Sequence, residues 1–323
     1  MKGDTEMNSD PQTLIEAIRY FADPDVCLDF MVSLRWPNGV ACPTCGSLDI
    51  RFIPTRRIWE CKSEHPKRQF SVKVGTIFED SPISLDKWLA AIWLIANAKN
   101  GVSSYEVARD LDVTQKTAWF MLHRIRTAMA DDGDNPFSGQ VEVDETFIGG
   151  KARFMHKDKR AEKITGRGAN GKTAVVGLLE RHGIDKVSQV RTEVIPNTQR
   201  RSLSPIVRDN VMAGSEVLTD ALRSYDDLKD IYIHQVIDHA EAYVKGHIHT
   251  NSIENFWSLL KRAIRGTYVN VEPLHLFRYL AEETFRYNTR KTNDGSRFQK
   301  VAGAVSGKRL TYKQLIGATT TPA

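Results

Sequence analysis

The sequence predicts an α/β domain built on a mixed sheet, preceded by a small metal-binding module and a helical module. Three observations carry this. Cys42, Cys45, Cys61 and His65 form a compact set of ligand-type residues. Apolar residues recur at helical spacing between Ser84 and Met129. Beyond an acidic break at Asp131-Asp132-Gly133-Asp134-Asn135-Pro136, strand-like segments alternate with helical ones. The expected boundaries are a helical segment over 1–36, the metal module over 37–80, the helical module over 81–130, a linker over 131–139, the α/β domain over 140–305 and a frayed tail over 306–323.

Bulk properties narrow the class. A chain of 323 residues is long enough for two or three domains, and 41% hydrophobic with 26% charged content is that of a globular protein, not a disordered one. No apolar run approaches a bilayer span, and the polar N-terminus MKGDTEMNSDPQ has no secretory stretch, so a cytoplasmic protein without a membrane partner is expected. Four cysteines do not make a disulfide scaffold here. Net charge is +5 and the pI about 8.9. The charge is concentrated at 151–170, with seven Lys or Arg against two acids; this reads as a phosphate-tracking segment or as a solvated loop.

Cys42 and Cys45 form a C-x2-C pair followed by Gly46, two thiolates on a tight turn with a glycine that permits the reversal. Fifteen residues separate Cys45 from Cys61, and three more lead to His65. Two ligand pairs joined by a hairpin-length segment suit a structural Zn2+, whereas a redox C-x-x-C would not need the second pair. Cys27, in an apolar stretch, reads as a buried core thiol.

Ser84 precedes a helical stripe of Leu85, Trp88, Leu89, Ile92 and Ile95, ended by Asn100-Gly101. Ser103 and Glu106 have capping-box spacing for a short helix. After a turn at Asp112-Val113, Thr114 opens a longer one with Ala118, Leu122, Ile125 and Met129 inside. Short helix, turn, longer helix is the helix-turn-helix pattern, with a plain three-helix bundle as the alternative. On the first reading Gln115, Lys116 and Thr117 face base edges, and Arg124 and Arg126 contact phosphates or solvent.

In the last part, GQVEVDETFIGG, KTAVVGLLERHG and VSQVRTEVIP read as strands, about 197–213 as a helix, SEVLTDALRSY and IYIHQVID as strands, and SIENFWSLLKRAIRG as a helix stopped by Gly266. This order is that of a ribonuclease H-like unit. Asp144 and Asp220 lie in strands, where acids are disfavoured. Asn251, Glu254 and Lys261 share one helix face. Three acids from two strands and a helix suit two Mg2+ or Mn2+ ions acting on a phosphodiester, with Lys261 placed to hold a nearby phosphate.

Together these residues resemble the Merlin-related group of bacterial insertion-sequence transposases, ISXO-two-like DDE enzymes with an N-terminal zinc ribbon. The likeness runs from RWPNGVACPTCG through QFSVKVGTIFEDSPI and VEVDETFIGGK to TNSIENFWSLLKRAIRGTYV. It implies a ribonuclease H-like fold, divalent-metal DNA cleavage and strand transfer, binding to terminal inverted repeats and target DNA, a homodimer or larger assembly on DNA, and association with the nucleoid. It further implies that Asp144 and Asp220 are the two aspartates, Glu254 the closing glutamate and Lys261 the associated lysine. Asn251 competes with Glu254 as third ligand, and Glu142 and Glu145 flank Asp144 as weaker competitors. Lys261 and Arg262 are expected at the DNA along with Gln115, Lys116, Thr117 and Arg124. Where a second C-x2-C is usual, this chain has SEHPKRQF. A domesticated DNA-binding regulator and a nuclease that cuts without joining are the alternative functions. Beyond the catalytic helix, Tyr268, His275, Phe277, Tyr279, Phe285 and Tyr287 alternate with Arg278, Arg286 and Arg290; they read as a packed closing helix or as stacking sites for unpaired bases.

Overall fold

The computed structural model describes residues 10–130, 133, 135–150, 157–158, 171–183, 186–220, 223–237 and 250–318. The basic segment 151–170 therefore lies outside the described residues apart from 157–158. The chain forms two units, Ala130–Lys291 and a second comprising Met1–Met129 with Thr292–Ala323. No helix among the described residues is long and apolar enough to cross a membrane.

The N-terminal part contains α1 (Leu14–Tyr20), α2 (Pro24–Arg35), the antiparallel ribbon β1 (Ile50–Ile53), β2 (Ile58–Cys61) and β3 (Gln69–Phe70), then α3 (Leu85–Asn97), α4 (Ser104–Asp110) and α5 (Gln115–Met129). Local signals explain the helix starts. Thr13 with Glu16 and Ser103 with Glu106 both form complete capping boxes. Thr114 accepts the Thr117 N–H at 3.2 Å. The helical stripes meet as expected: Trp88, Leu89, Ile92 and Ile95 of α3 and Ala118, Leu122 and Ile125 of α5 are buried. Cys27 is a core thiol, donating to the Phe21 carbonyl at 3.1 Å, and burial pushes its pKa up to about 12.

The other unit carries a five-stranded sheet. Its strands are β4 (Gln140–Ile148), β5 (Thr173–Glu180), β6 (Gln189–Ile195), β7 (Glu216–Asp220) and β8 (Ile233–Ile237), in the order β6-β5-β4-β7-β8. β4, β5 and β6 are antiparallel neighbours, and β4, β7 and β8 run parallel. Its helices are α6 (Arg200–Asn210), α7 (Asn251–Ala263) and α8 (Leu276–Asn288). One face of the sheet buries Val141, Val143, Val176 and Leu178 with Leu203 and Val207 of α6. The opposite face buries Val175, Leu179 and Val190 with Ile253, Phe256, Trp257 and Leu260 of α7.

Four expectations are corrected. Gly266 does not stop α7: the chain continues through a π turn, Ile264–Tyr268, and reverses at Val269, whose φ of +61° is unusual for a β-branched residue. Arg124 and Arg126 are buried and do not face solvent. Arg124 donates to the carbonyls of Leu310, Ile77 and Glu79 at 3.0, 2.9 and 2.8 Å, so its cation is spent on the backbone and is not offered to DNA. The chain after Thr292 packs in the unit with the N-terminal residues, where α9 (Asp294–Gly303) places Phe298 against Phe30 and Trp93. The tail is not frayed up to Ala318: α10 (Tyr312–Leu315) has a capping box, and Leu310 and Leu315 are buried.

The aromatic and arginine residues of α8 are mostly packed. Tyr279, Phe285 and Tyr287 are buried, and buried Arg286 pairs with Glu282 and Glu283. Phe277 is the exposed exception.

Candidate functional site: an acidic centre and a cysteine-histidine knuckle

Two parallel strands bring the acids together. β4 and β7 pair as Val141 with Val217 and Glu142 with Leu218; the same register carried two residues further sets Asp144 beside Asp220. Carboxylate oxygens of Asp144, Glu145 and Asp220 lie within 4.8 Å of one another. Glu254, in the first turn of α7, is not in that cluster, but its charge contributes to the field at Asp144. Its carboxylate accepts the Thr250 hydroxyl at 3.2 Å. Asn251 is the exposed first residue of α7. Lys261 is half-buried two turns after Glu254, near enough to Asp144 for the carboxylate to favour its charge. Arg262 is exposed on the same helix.

Crowding of negative charge in a half-buried place has a titration consequence. Burial raises the Asp144 carboxyl to about 6; a backbone N–H and Trp257 oppose the rise, and Asp220 and Glu254 add to it. Burial, with Asp220 and Asp144, pushes Glu145 up to about 8. Such a cluster has the makings of a cation site: hard oxygen donors whose mutual repulsion a divalent ion would relieve.

Two supports of this cluster, Trp257 and Tyr225, are residues that the sequence did not single out. Trp257 Nε1 donates to Asp144 Oδ2 at 3.0 Å, and the Tyr225 hydroxyl donates to Glu145. Glu142 is fully buried and accepts the Ile253 N–H at 2.8 Å and Arg181 Nε at 2.5 Å. Since Thr250 gives α7 no side-chain cap, Glu142 caps that helix from the sheet. It is thus a structural residue, whereas Glu145, three positions on, belongs to the acidic cluster.

Gly177, opposite Asp144 on β5, lies under Trp257. A Cβ there would approach two Trp257 ring carbons at 2.6 Å and Ile253 Cδ1 at 2.9 Å. Gly177→Ala is therefore expected to destabilise by about 1–3 kcal/mol through overpacking and to displace the indole from Asp144. Thermal melting and indole fluorescence on metal addition would check it; an unchanged melt and an unchanged metal response would contradict it.

In the other unit, Cys42, Cys45, Cys61 and His65 offer donor atoms within 4.8 Å of one another. The Cys42 Sγ to His65 Nε2 distance is 3.4 Å, and Cys45 Sγ to Cys61 Sγ is 3.6 Å. Tetrahedral zinc with Zn–S near 2.3 Å would set its sulfurs about 3.8 Å apart, close to this spacing. Gly46, with φ of +74°, makes the knuckle, and its N–H bonds to the Cys42 carbonyl at 2.8 Å. His65 Nδ1 contacts the Pro66 carbonyl at 2.8 Å. A carbonyl can only accept, so the proton sits on Nδ1 and the Nε2 lone pair faces the thiols, as a metal-bound imidazole requires. The donor set fits zinc, and His65 offers a fourth donor atom beside the three thiols.

Comparison with known proteins matches two segments of the chain. Residues 136–288 match the ISXO2-like transposase domain, and residues 23–63 match a transposase zinc-ribbon domain. A transposase-like protein of Haemophilus influenzae is 37% identical over 102 residues, covering 31% of this chain and 81% of the relative. The chain belongs to the ISXO2-like transposase family. A protein of transposable element ISH50 from Halobacterium salinarum is 27% identical over 258 residues, 76% of this chain and 84% of that protein. In this transposase-family chain the N-terminal module is a zinc ribbon, and the acidic cluster falls inside the matched DDE domain.

At the second helix of the helical module, Lys116 is exposed and its Nζ lies 4.9 Å over the Tyr312 ring. Gln115 is half-buried and donates to Ser104 Oγ at 2.8 Å. Thr117, also half-buried, shares a hydroxyl contact with Thr114 at 2.8 Å.

Proposed function

We propose that the protein is an insertion-sequence transposase that binds the terminal inverted repeats of its element and catalyses metal-dependent cleavage and strand transfer. The observation that carries this is the meeting of Asp144 and Asp220 on in-register parallel strands, with Glu254 presented from α7. The strand order, three antiparallel and then two parallel, supports a ribonuclease H-like reading of the domain.

In this reading Asp144 and Asp220 hold Mg2+ or Mn2+, Glu254 closes the set, and Glu145 is a further donor at the same point. The bound ions would supply charge neutralisation and an activated water or 3′-hydroxyl. Trp257 and Tyr225 fix the carboxylates, so little reorganisation is needed when charge develops on the phosphate. Lys261 holds a phosphate oxygen beside the acids. The zinc ribbon and the α4–α5 pair, with Gln115, Lys116 and Thr117 at the start of α5, hold the duplex, and two DNA ends are paired by at least a dimer.

The test is cleavage and joining of DNA carrying the element's own ends, with Mg2+ or Mn2+, by wild type and by Asp144→Ala, Asp220→Ala, Glu254→Ala, Asn251→Ala and Glu145→Ala. Loss of joined products to background in the two aspartate variants and Glu254→Ala, with Asn251→Ala active, is expected. DNA binding without cleavage in every protein, wild type included, would instead make the chain a regulator.

A further inference from the structure

Beside the acidic centre, and within the same unit, lies a pocket of about 360 Å³ lined by Lys172, Lys261 and Arg265 together with Gly149, Val269 and Val271. That volume is in the range of ligand pockets, about 300–1,000 Å³. The three cations arrive from separate elements. Lys172 stands just before β5, Lys261 is in the last turn of α7, and Arg265 is in the π turn. Burial lowers the pKa of Lys261, Arg265 and Lys172 lower it further and Asp144 opposes them, so the three cations share one field. None of them forms an ion pair with a carboxylate among the described residues. Three like charges lining one cavity repel each other, Asp144 offsets that repulsion only at Lys261, and the arrangement is stabilised when an anion enters.

Apart from Asn270 and two glycines, the remaining wall is apolar. Val269 is 77% exposed and Phe147 is 40% exposed at the rim, which suits the sugar of a nucleotide better than a bare inorganic ion. We propose that this pocket, formed by Lys172, Lys261 and Arg265, seats one backbone phosphate of the DNA strand adjacent to the phosphate being cut. Lys172 and Arg265 are then positioning residues: they fix the strand's register relative to Asp144 and Asp220 without touching the reacting atoms. The inference rests on the transposase reading for the identity of the strand. The anion site itself rests on the cavity and its charges.

The test uses the full-length protein and a 20-base-pair duplex of arbitrary sequence, because phosphate contacts do not depend on sequence. Acetylation of individual lysines is followed by mass spectrometry with and without saturating duplex. Lys172 and Lys261 should react at least about fivefold more slowly with DNA bound, whereas exposed Lys186 should be unaffected. Lys172→Gln and Arg265→Gln should each reduce the slope of log affinity against log salt by about one, and Lys186→Gln should not. Equal acetylation of Lys172 with and without bound duplex would overturn the proposal while leaving cleavage, measured separately, intact. Stronger protection by a deoxynucleoside triphosphate at the same phosphate concentration would also overturn it, assigning the pocket to a free nucleotide. Protected lysines in a protein that shows no metal-dependent cleavage of its element's ends would uphold the pocket and remove the transposase activity.

Discussion

Glu142→Ala is expected to lower the stability of the α/β unit by about 3–5 kcal/mol, the scale for breaking a buried ion pair from one side. Glu142 has no exposed surface, and both its oxygens are engaged, one by Arg181 Nε at 2.5 Å and one by the Ile253 N–H at 2.8 Å. Removal takes a carboxylate partner from a guanidinium whose side chain is only 14% exposed and takes the Glu142 acceptor from the first turn of α7. With about 2–4 °C per kcal/mol for a unit of this size, the transition should fall by roughly 6–20 °C. Glu142→Gln keeps an acceptor for Ile253 and should lose less. A melt of Glu142→Ala within about 1 °C of wild type would show that α7 is not held by this carboxylate.

The consequence for the site is geometric. Glu254 follows Ile253, so the strand that carries Asp144 also fixes, through Glu142, where α7 presents its acid. Residues 142 and 144 point to the same side of β4 by strand alternation, one bonding the helix backbone and the other the Trp257 indole. Strand and helix are thereby locked at two points one turn apart.

Periodicity made most elements legible. The stripes of α3 and α5 and the apolar runs of β5 and β7 lie where their spacing put them, and the capping box at Ser103 and Glu106 opens α4. The cysteine-histidine set was equally plain, because ligand spacing is local. What escaped was decided by tertiary contacts. Arg124 and Arg126 read as surface charges, since a sequence does not show carbonyls converging on a guanidinium from Leu310, Ile77 and Glu79. Burial of Leu310 and Leu315 likewise depends on a segment returning to the N-terminal unit. At the acidic centre, Glu142 and Glu145 looked alike beside Asp144. Their opposite roles follow from which side of β4 each occupies and from the register with β7, neither of which composition encodes.

Glu145→Gln is expected to stabilise the metal-free protein and to remove most of the stabilisation that Mg2+ or Mn2+ brings. Burial and the neighbouring aspartates raise Glu145 to about 8, and Asp144 stands at about 6. Both folded pKa values are above the unfolded ones, near 4. The stability linked to these groups is therefore fully present below about pH 4 and is lost as pH rises through 6 and then 8. At pH 8 without metal, wild type holds repelling carboxylates together, and an amide at 145 relieves part of that repulsion while still accepting the Tyr225 hydroxyl. Because the two groups share the strain, a gain of about 2 kcal/mol is the scale, or roughly 4–8 °C. In chelator, wild type should melt progressively lower from pH 5 to pH 8, and the variant should show a flatter profile. Divalent ion added at pH 8 should raise wild type and move Glu145→Gln much less, since the relief has already been obtained by substitution. A variant less stable than wild type in chelator, with an undiminished metal response, would mean that Glu145 serves the fold through Tyr225 and that the cation is held by Asp144, Asp220 and Glu254 alone.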